Sequence, residues 1–434
     1  MFLLKIHLSI KELLQAMKPL GKIPQDKTID NSLALLMEGY NFIPSRCRKY
    51  SSDIFMTRLL GEKVVCISGE EAARIFYDED KFLRKGVAPK RIQKTLFGEN
   101  AIQTMDGEPH KYRKLLFMSM MTPSHMKELS AIAAQEWENA LLKWERDGKA
   151  VLFDASKEVL CKIACRWAGI PLKEQDAKVR GEDMAAMVDA FGAVGPRHWK
   201  GRKARKRSEE WIQDMIDLIR NQKLSVQRDT AAYMVAWHKE ADGKLLDKRM
   251  AAIELLNVLR PVVAISTYIA YGALALHEYP ESRKNLQSGK ETDLLNFVQE
   301  VRRYYPFGPF LGARVKIDFT WNRNQFQKGE LVLLDVYGTN RDPRLWENPD
   351  EFLPERFREW DGSLFSLIPQ GGGNAYSGHR CPGETATIEI MKVSFDYLAN
   401  KVDYAVPDQS LDYSLARIPT YPKSGFIMEK IRRK

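Results

Sequence analysis

The stretch that decides how the chain is interpreted is Ile368-Pro-Gln-Gly-Gly-Gly-Asn-Ala-Tyr-Ser-Gly-His-Arg-Cys-Pro-Gly-Glu384. A glycine-rich segment leads into Cys381, and Pro382 opens an amphipathic run. Because proline is favoured at the first position of a helix, we expect Cys381 at a helix N-terminus, where backbone N–H groups and the helix dipole favour a thiolate. A thiolate in a loop of small residues suits an axial ligand of haem iron. For this stretch alone, an ordinary buried cysteine is the alternative.

The composition indicates an ordinary globular protein. The chain has 434 residues, of which 44% are hydrophobic and 29% are charged, so it can bury a substantial core. The net charge of +10 suits anionic small molecules, but it is too diffuse to indicate nucleic-acid binding. The densest basic cluster, residues 197–207, is interpreted as a solvated helix end or loop. No run reaches the ~18 apolar residues that a transmembrane helix needs.

The cysteines indicate a reducing compartment. There are five of them at irregular spacings, which predicts no disulfide framework and a cytoplasmic protein. Cys161 and Cys165 are four residues apart on a predicted helix. With no further cysteine or histidine nearby, they are interpreted as buried core thiols and not as metal ligands.

Helical periodicity dominates the middle of the chain, and strand patterns are short and few. We therefore predict a mainly α protein with a small β portion. It would be one domain over residues 25–434, preceded by an N-terminal extension, residues 1–24, that contains a short amphipathic helix. The clearest predicted helices are 109–121, 124–147, 154–169, 174–192, 207–222, 228–239, 247–278 and 292–305. The predicted strands lie within 53–67, at 319–321 and at 331–335.

A second motif concerns charge pairing. Glu300 and Arg303 are three residues apart on a predicted helix, and Arg356 follows in Pro-Glu-Arg-Phe, residues 354–357. One carboxylate and two guanidinium groups can pin a long loop to a helix. Taken alone, such an i,i+3 pair is usually a weak surface contact.

The order Glu-x-x-Arg, Pro-Glu-Arg-Phe and the Cys381 loop resembles the cytochrome P450 haem-thiolate enzymes over nearly the whole chain after about residue 25. The resemblance implies an α-rich fold with one haem b held by Cys381, and a structural role for the Glu300 network. It also implies that His379, His110 and Lys114 contact the haem propionates. For His110 and Lys114, a solvated helix face is the alternative.

The chain departs from the common pattern of that family in two places. Asn374 and Ser377 occupy positions where the cysteine loop usually has Phe and Gly. In the long helix, Arg260-Pro261 occupies the place of the acid–threonine pair that delivers protons to iron-bound dioxygen. A guanidinium in an apolar helix needs an anionic partner, and Pro261 removes a helical hydrogen bond and predicts a kink. The partner of Arg260 is either an internal carboxylate or a bound one.

The Arg-Pro pair resembles the bacterial fatty-acid peroxygenase branch of the family. Further stretches agree with that branch: Asn100–Gly107, Met187–Gly201 and Arg302–Ala313. The resemblance implies that Arg260 anchors the carboxylate of a long-chain fatty acid, and that this carboxylate serves as the acid–base group for cleavage of hydrogen peroxide. No reductase is then required, and the products are 2- or 3-hydroxy fatty acids.

The same resemblance implies further site residues. Pro261 and Gln103 join Arg260 as catalytic candidates, and Gln103 occupies the position where the alkene-forming decarboxylase of the branch has His. A neutral amide cannot relay a proton as imidazole can, so we expect hydroxylation with terminal alkenes as a side product. The candidates for the acyl channel are Phe97, Val188, Phe307, Phe310 and Leu311, and core packing is the alternative for each of them.

Other functions are weighed against this one. A fatty-acid decarboxylase that produces terminal alkenes is the alternative within the branch. A reductase-dependent monooxygenase is disfavoured by Arg260-Pro261, and a non-catalytic carrier of haem or fatty acid would show no turnover. A cysteine hydrolase built on Cys381 lacks a residue to orient its only neighbouring base, His379.

Overall fold

The computed structural model of the chain describes residues 22–434. The helix predicted within the first 20 residues lies outside this range, so the boundary between residues 24 and 25 stays a prediction. Helices make up most of the described chain, and the strands form one five-stranded sheet, one three-stranded sheet and one hairpin. The predicted mainly α fold with a small β portion is confirmed.

The α-helices are numbered here in chain order. They are α1 Ser32–Glu38, α2 Phe42–Tyr50, α3 Glu70–Phe76, α4 Lys90–Ile92, α5 Gly107–Ser119, α6 Pro123–Asp147, α7 Leu152–Ala168, α8 Glu174–Asp189, α9 Pro196–Arg220, α10 Ala231–Ala236, α11 Lys248–Ala264, α12 Ser266–Glu278, α13 Pro280–Gln287, α14 Glu291–Tyr304, α15 Val336–Thr339 and α16 Glu384–Asp396. Short 3₁₀ turns cover Gly39–Asn41, Ile102–Thr104 and Pro354–Arg358, and π-helical turns cover Gln93–Phe97 and Tyr397–Lys401.

The strands are β1 Ile54–Leu59, β2 Glu62–Ile67, β3 Phe82–Leu83, β4 Lys149–Val151, β5 Phe310–Val315, β6 Phe319–Trp321, β7 Asn324–Phe326, β8 Leu331–Asp335, β9 Val402–Ala405 and β10 Ile427–Arg433. The large sheet has the order β1-β2-β8-β5-β3, with β2 and β8 parallel and the other neighbours antiparallel. The second sheet has the order β4-β10-β9.

The core lies around α11 and α12, since nearly every residue of these two helices before Glu278 is buried. Helices α7, α8, α9 and α10 pack against α11, and residues of α6, α7 and α16 belong to the same apolar cluster. Within residues 22–434, the run Lys248–Glu278 is long and apolar enough to span a bilayer, but 94% of its most apolar window is buried inside the protein. This burial identifies it as a core helix.

Three predicted helix boundaries are wrong. Helix α9 begins at Pro196 and not at residue 207, so the basic cluster at 197–207 forms its first half. The reason is that Gly201, Ala204 and Arg205 of that cluster are buried, so one side of this segment packs against the protein. The helix predicted at 228–239 is only the short α10, and the long helix predicted at 247–278 is divided at Ile265.

The division at Ile265 lies one turn after Pro261. Ile265 N–H donates to the carbonyl of Val262, three residues back and not four, at 3.1 Å. Such a contact is a tightened 3₁₀-type turn. Pro261 has no N–H to donate to the Asn257 carbonyl, so the hydrogen bond that it removes belongs to the turn before it, and α11 continues through it to Ala264.

Candidate functional site

The loop that carries Cys381 is held by its own backbone. Cys381 N–H donates to the Gln370 carbonyl at 3.0 Å, which brings the cysteine back against the start of the glycine run. Gly371 and Gly373 have φ of +93° and +78°, values that a residue with a Cβ rarely adopts. Helix α16 begins at Glu384, so the predicted helix start at Pro382 is two residues early and Cys381 precedes the first turn.

Burial dominates the chemistry of the Cys381 thiol. It raises the pKa of Cys381, while the N–H of Gly383 and the cations Lys114 and Arg302 lower it. The N–H at the helix start thus acts in the predicted direction, and burial outweighs it. A cation bonded to the sulfur changes that balance, because a coordinating thiol is deprotonated outright.

The first residue of α16 ties the cysteine loop to α14. The Glu384 carboxylate accepts from Arg302, whose guanidinium also donates to Gln370 Oε1 at 2.7 Å. Arg380 Nε donates to the other Glu384 oxygen at 2.6 Å. Although burial opposes it, the charges of Arg302 and Arg380 hold the pKa of Glu384 below its usual value. Both ends of the Cys381 loop are thus fixed to one buried guanidinium.

The predicted Glu300 network is confirmed. Arg303 donates to both Glu300 oxygens at 2.7 Å, and both residues are essentially fully buried. Arg356 Nε lies 3.3 Å from Glu300 Oε1, and Leu353 N–H donates to the same oxygen at 2.8 Å. Arg303 also donates to the carbonyls of Asn340, Pro349 and Glu351. The pair is therefore a buried support for the 340–358 loop and not a surface contact.

Basic side chains gather beside the cysteine loop. The rings of His110 and His379 stack with centroids 4.1 Å apart, and His379 Nε2 lies 3.3 Å from Asp106 Oδ1. Lys114 Nζ donates to the carbonyl of Gly378 at 2.9 Å and also to that of Arg380. His110 and Lys114 are buried, so the solvated helix face considered for them is wrong. Arg84, which the sequence analysis missed, lies near enough to influence both histidines.

The pKa values of this cluster follow from burial and mutual repulsion. Burial, helped by the charge of His379, lowers the pKa of His110 to about 3. Burial lowers the pKa of Lys114 to about 8, against the opposing charge of Cys381. Asp106 is the carboxylate hydrogen-bonded to the cluster. Lys114 and Arg84 bring positive charge to the cluster, Asp106 and Glu79 are the carboxylates that act on these two groups, and the basic side chains suit an additional anion.

Arg260 is buried in α11, with 5% of the residue exposed. Its Nη2 donates to Asn257 Oδ1 at 3.1 Å, and its buried Nε has no hydrogen-bond partner. Within residues 22–434 no carboxylate lies within ion-pair distance of it. Burial and the charge of Arg205 lower its pKa to about 9, while Cys381 acts in the opposite sense. Arg260 is thus charged at neutral pH and has no carboxylate partner within residues 22–434. Cys381 is close enough for a charge on its sulfur to act on the guanidinium.

Pro261 is exposed, although every other residue from Ala251 to Leu276 is buried. The proline side of α11 therefore faces open space within the core of the protein. Cys381 is among the charged groups that act on Arg260 and on Tyr268. The Arg-Pro pair and the cysteine loop therefore lie within electrostatic range of each other.

Gln103 and Phe97 reach the site through Asn257. The Asn257 Nδ2 atom donates to the Phe97 carbonyl at 3.0 Å and lies 3.4 Å from Gln103 Oε1. It also donates to Glu254 Oε2 at 3.1 Å. Asn257 and Glu254 were not selected from the sequence. The signal was available, because both are polar positions in an apolar helix on the face that carries Arg260.

The candidates for the acyl channel are only partly brought together. The Phe307 ring stacks on Tyr268 with centroids 4.5 Å apart, and Tyr268 lies in the field of Cys381. Val188 is half-buried at the end of α8, which packs against α11. Phe310 packs against the apolar cluster of α2, β1 and β2, and Leu311 is 38% exposed on β5. The substrate contacts of all five candidates, Phe97, Val188, Phe307, Phe310 and Leu311, stay predictions.

The residues present fit a haem. Cys381 is partly exposed at the end of the glycine loop, a buried guanidinium Nε without a hydrogen-bond partner lies on α11, and the basic groups Lys114 and Arg84 lie beside the cysteine loop. A thiolate-ligated iron porphyrin needs one sulfur ligand and basic partners for its two propionates. Cys381 would bind the iron, and Lys114, His110, His379 and Arg84 are the basic groups available to the propionates. Within residues 22–434 no cluster of three or more metal-ligating side chains offers another metal site.

The comparisons with known proteins agree with this site. The family model "Cytochrome P450" matches residues 177–396. The solved structure of cytochrome P450EX alpha (CYP152N1) with myristic acid is 44% identical, with a TM-score of 0.92 over 95% of this chain and 100% of that one. Cytochrome P450 OleT in complex with arachidonic acid is 37% identical, with a TM-score of 0.93 over 95% and 99%. Cytochrome P450SP alpha (CYP152B1) in complex with (R)-ibuprophen is 44% identical, with a TM-score of 0.91 over 93% and 99%.

More distant relatives include protopanaxadiol 6-hydroxylase of Panax ginseng, which is 24% identical over 91% of this chain and 90% of its own length. The half of the chain matched by the family model and the 44% identity to P450EX alpha agree with the Cys381 loop, the Glu300 network and the Arg260-Pro261 pair. The chain belongs to the cytochrome P450 superfamily, in its fatty-acid peroxygenase branch.

Proposed function

We propose that the protein hydroxylates long-chain fatty acids at the α or β carbon with hydrogen peroxide as oxidant. The observation that carries this proposal is Arg260, a buried guanidinium without a carboxylate partner in the described chain, lying in the field of Cys381. A guanidinium in such a place is best satisfied by the carboxylate of a bound ligand. The myristic-acid and arachidonic-acid complexes of related proteins support this ligand class.

Arg260 would bind and orient the substrate carboxylate. Asn257 accepts from one hydrogen of Nη2, which leaves the second Nη2 hydrogen, Nη1 and the unpartnered Nε as donors for a ligand. A guanidinium binds a carboxylate through two parallel hydrogen bonds, so the head group is fixed in direction as well as in place. With the head group fixed, only the first carbons of the chain reach the oxidant, and 2- or 3-hydroxy fatty acids are the expected products.

The substrate would also supply the proton-handling group. Arg260-Pro261 occupies the place where most of the superfamily has an acid–alcohol pair, and neither residue can exchange a proton at neutral pH. The fatty-acid carboxylate oxygen held by Arg260 would accept a proton from hydrogen peroxide and return it. Haem b bound through Cys381 supplies the peroxide cleavage and the oxidation of the C–H bond.

Gln103 would favour hydroxylation over alkene formation. Its amide lies 3.4 Å from Asn257 Nδ2, on the same side as Arg260. An amide neither gives nor takes a proton at neutral pH, so it would leave the substrate carboxylate as the only acid–base group. Terminal alkenes are then a side product. We further propose a cytoplasmic enzyme that needs no reductase partner.

The test is turnover of palmitate with hydrogen peroxide as the only co-reactant. The wild type should form hydroxy acids over many cycles without any electron-transfer protein. Arg260→Ala should keep its haem and lose kcat/KM by about 100-fold or more, because truncating one partner of a buried charge pair costs about 2–5 kcal/mol. Lys206→Ala, which breaks an exposed pair with Glu210 on α9, is the control and should retain activity. Retained oxidation in Arg260→Ala would refute the anchor.

A further inference from the structure

Glu254 is a fully buried carboxylate that lies six residues before Arg260 in α11. Its Oε1 accepts from the Ile102 N–H at 3.0 Å and from Arg113 Nη1 at 3.1 Å. Its Oε2 accepts from Asn257 Nδ2 at 3.1 Å. One side chain therefore joins α11 to α5 and to the 3₁₀ turn Ile102–Thr104, which contains Gln103.

These contacts fix the direction of the Asn257 amide. A carboxylate only accepts hydrogen bonds, so Asn257 turns its Nδ2 toward Glu254, and the Phe97 carbonyl, which accepts from the same nitrogen at 3.0 Å, supports this orientation. The Asn257 Oδ1 atom then faces Arg260 and accepts from its Nη2. The reverse orientation would place two donors against each other at Arg260 and two acceptors against each other at Glu254, and it would leave buried polar groups unsatisfied.

We infer that Glu254 is a positioning residue for the fatty-acid site, acting through Asn257 on Arg260 and through Ile102 on Gln103. The inference rests on the proposed function, since it assigns to Glu254 the direction of the guanidinium that would bind the substrate carboxylate. Glu254 and the Phe97 carbonyl accept from the Nδ2 of Asn257, so its Oδ1 is left for one hydrogen of Arg260 Nη2 and the other guanidinium hydrogens remain for the ligand. The same carboxylate sets the distance between the anchor and Gln103.

Neighbouring cations explain how the carboxylate of Glu254 is accommodated in the core. Arg113 is buried and pairs with Glu254 and with Glu240, whose side chain is 30% exposed. Burial raises the pKa of Glu254, and the hydrogen bonds from Asn257, Ile102 and Arg113 act against that rise. The cations around Glu254 are Arg113 and Arg205, and the charge of Arg205 in turn acts on Arg260. A neutral amide at this position could donate as well as accept, and it would no longer dictate the orientation of Asn257.

The experiment measures binding of palmitate to the haem-loaded enzyme by the change in its visible absorption spectrum. Glu254→Gln should raise the palmitate Kd about tenfold and change the alkene-to-hydroxy-acid ratio. Its affinity for imidazole, a ligand that binds the iron without needing Arg260, should stay that of the wild type. Equal losses for palmitate and imidazole, or a wild-type palmitate Kd and product ratio, would overturn the positioning role.

Two further variants complete the test. Glu240→Gln removes the surface partner of Arg113 without touching Asn257, and it should bind palmitate like the wild type; a loss as large as that of Glu254→Gln would assign the effect to Arg113. Asn257→Ala leaves the Glu254–Arg113 pair intact and should weaken palmitate binding, which keeps the test decisive if Glu254→Gln fails to take up haem. Wild-type binding by Arg260→Ala would refute the anchor itself. Loss in Arg260→Ala with wild-type behaviour of both Glu254→Gln and Asn257→Ala would refute only the positioning role.

Discussion

At the scale of single residues, the site depends on which polar groups are satisfied by the protein and which are not. Glu300, Arg303 and Glu384 are buried and fully paired, so they act as supports. Arg260 is buried, and within residues 22–434 its one hydrogen-bond partner is the neutral Asn257. A protein tolerates such a group when a ligand completes it, because an unpaired buried charge costs several kcal/mol.

Gln103→His is expected to move the product ratio toward alkene. An imidazole beside the substrate head group can take up and release a proton near neutral pH, which an amide cannot. The measurement is product analysis after incubation of the variant with palmitate and peroxide. Gln93→His, a change of the same kind on the π-helical turn before the site, is the matched control. An unchanged ratio in Gln103→His would remove Gln103 from the reaction.

At the scale of elements, the features that depend on a few neighbouring residues could be predicted from the sequence. The Glu-x-x-Arg spacing on one helix face, the proline in α11 and the cysteine before α16 are each visible within a few residues. The partners of Glu254 were not, because Arg113 is 141 positions away in the chain and only the fold brings them together. The start of α9 was missed for a related reason. Arg205, in the basic run, is buried and donates to the carbonyl of Leu96, which is distant in the sequence, and to Glu209.

Arg356→Ala is expected to lower stability and haem retention without changing the product. Arg356 links the 3₁₀ turn Pro354–Arg358 to the buried Glu300 and to loop carbonyls, so its loss should cost about 1–3 kcal/mol. Arg358→Ala, which breaks an exposed pair with Asp293 in the same turn, should cost less than about 1 kcal/mol. The thermal unfolding midpoint and the haem content of both variants check this. Equal losses in the two would contradict it.

At the scale of the whole molecule, the fold places one helix pair, α11 and α12, through the core, and Arg260 and Pro261 lie one turn before the break between them at Ile265. The fold class followed from the helical periodicity, since most of the chain repeats at helical spacing. The substrate contacts of Val188, Phe310 and Leu311 did not follow, because half-buried apolar side chains serve packing and binding equally well.

The raised pKa of Asp335 should make the stability of the protein depend on pH. Burial raises its pKa to about 7, against hydrogen bonds from Gly338 and Ser68. The folded state thus binds a proton between about pH 4 and 7 that the unfolded state has released, so this residue makes stability fall as pH rises through that window. Asp335→Asn should flatten the profile and gain at most about 4 kcal/mol at pH 8 relative to pH 4. Urea unfolding across this range tests it; parallel profiles would contradict it.

The central claim is that the carboxylate of the substrate, held by Arg260, performs the acid–base step of peroxide cleavage. The most direct measurement compares palmitate with its methyl ester, each incubated with the enzyme and hydrogen peroxide. The ester has the same chain but cannot accept a proton or pair with a guanidinium. The account predicts many turnovers of the acid to hydroxy acids and none above background for the ester. Oxidation of the ester at a comparable rate would contradict it.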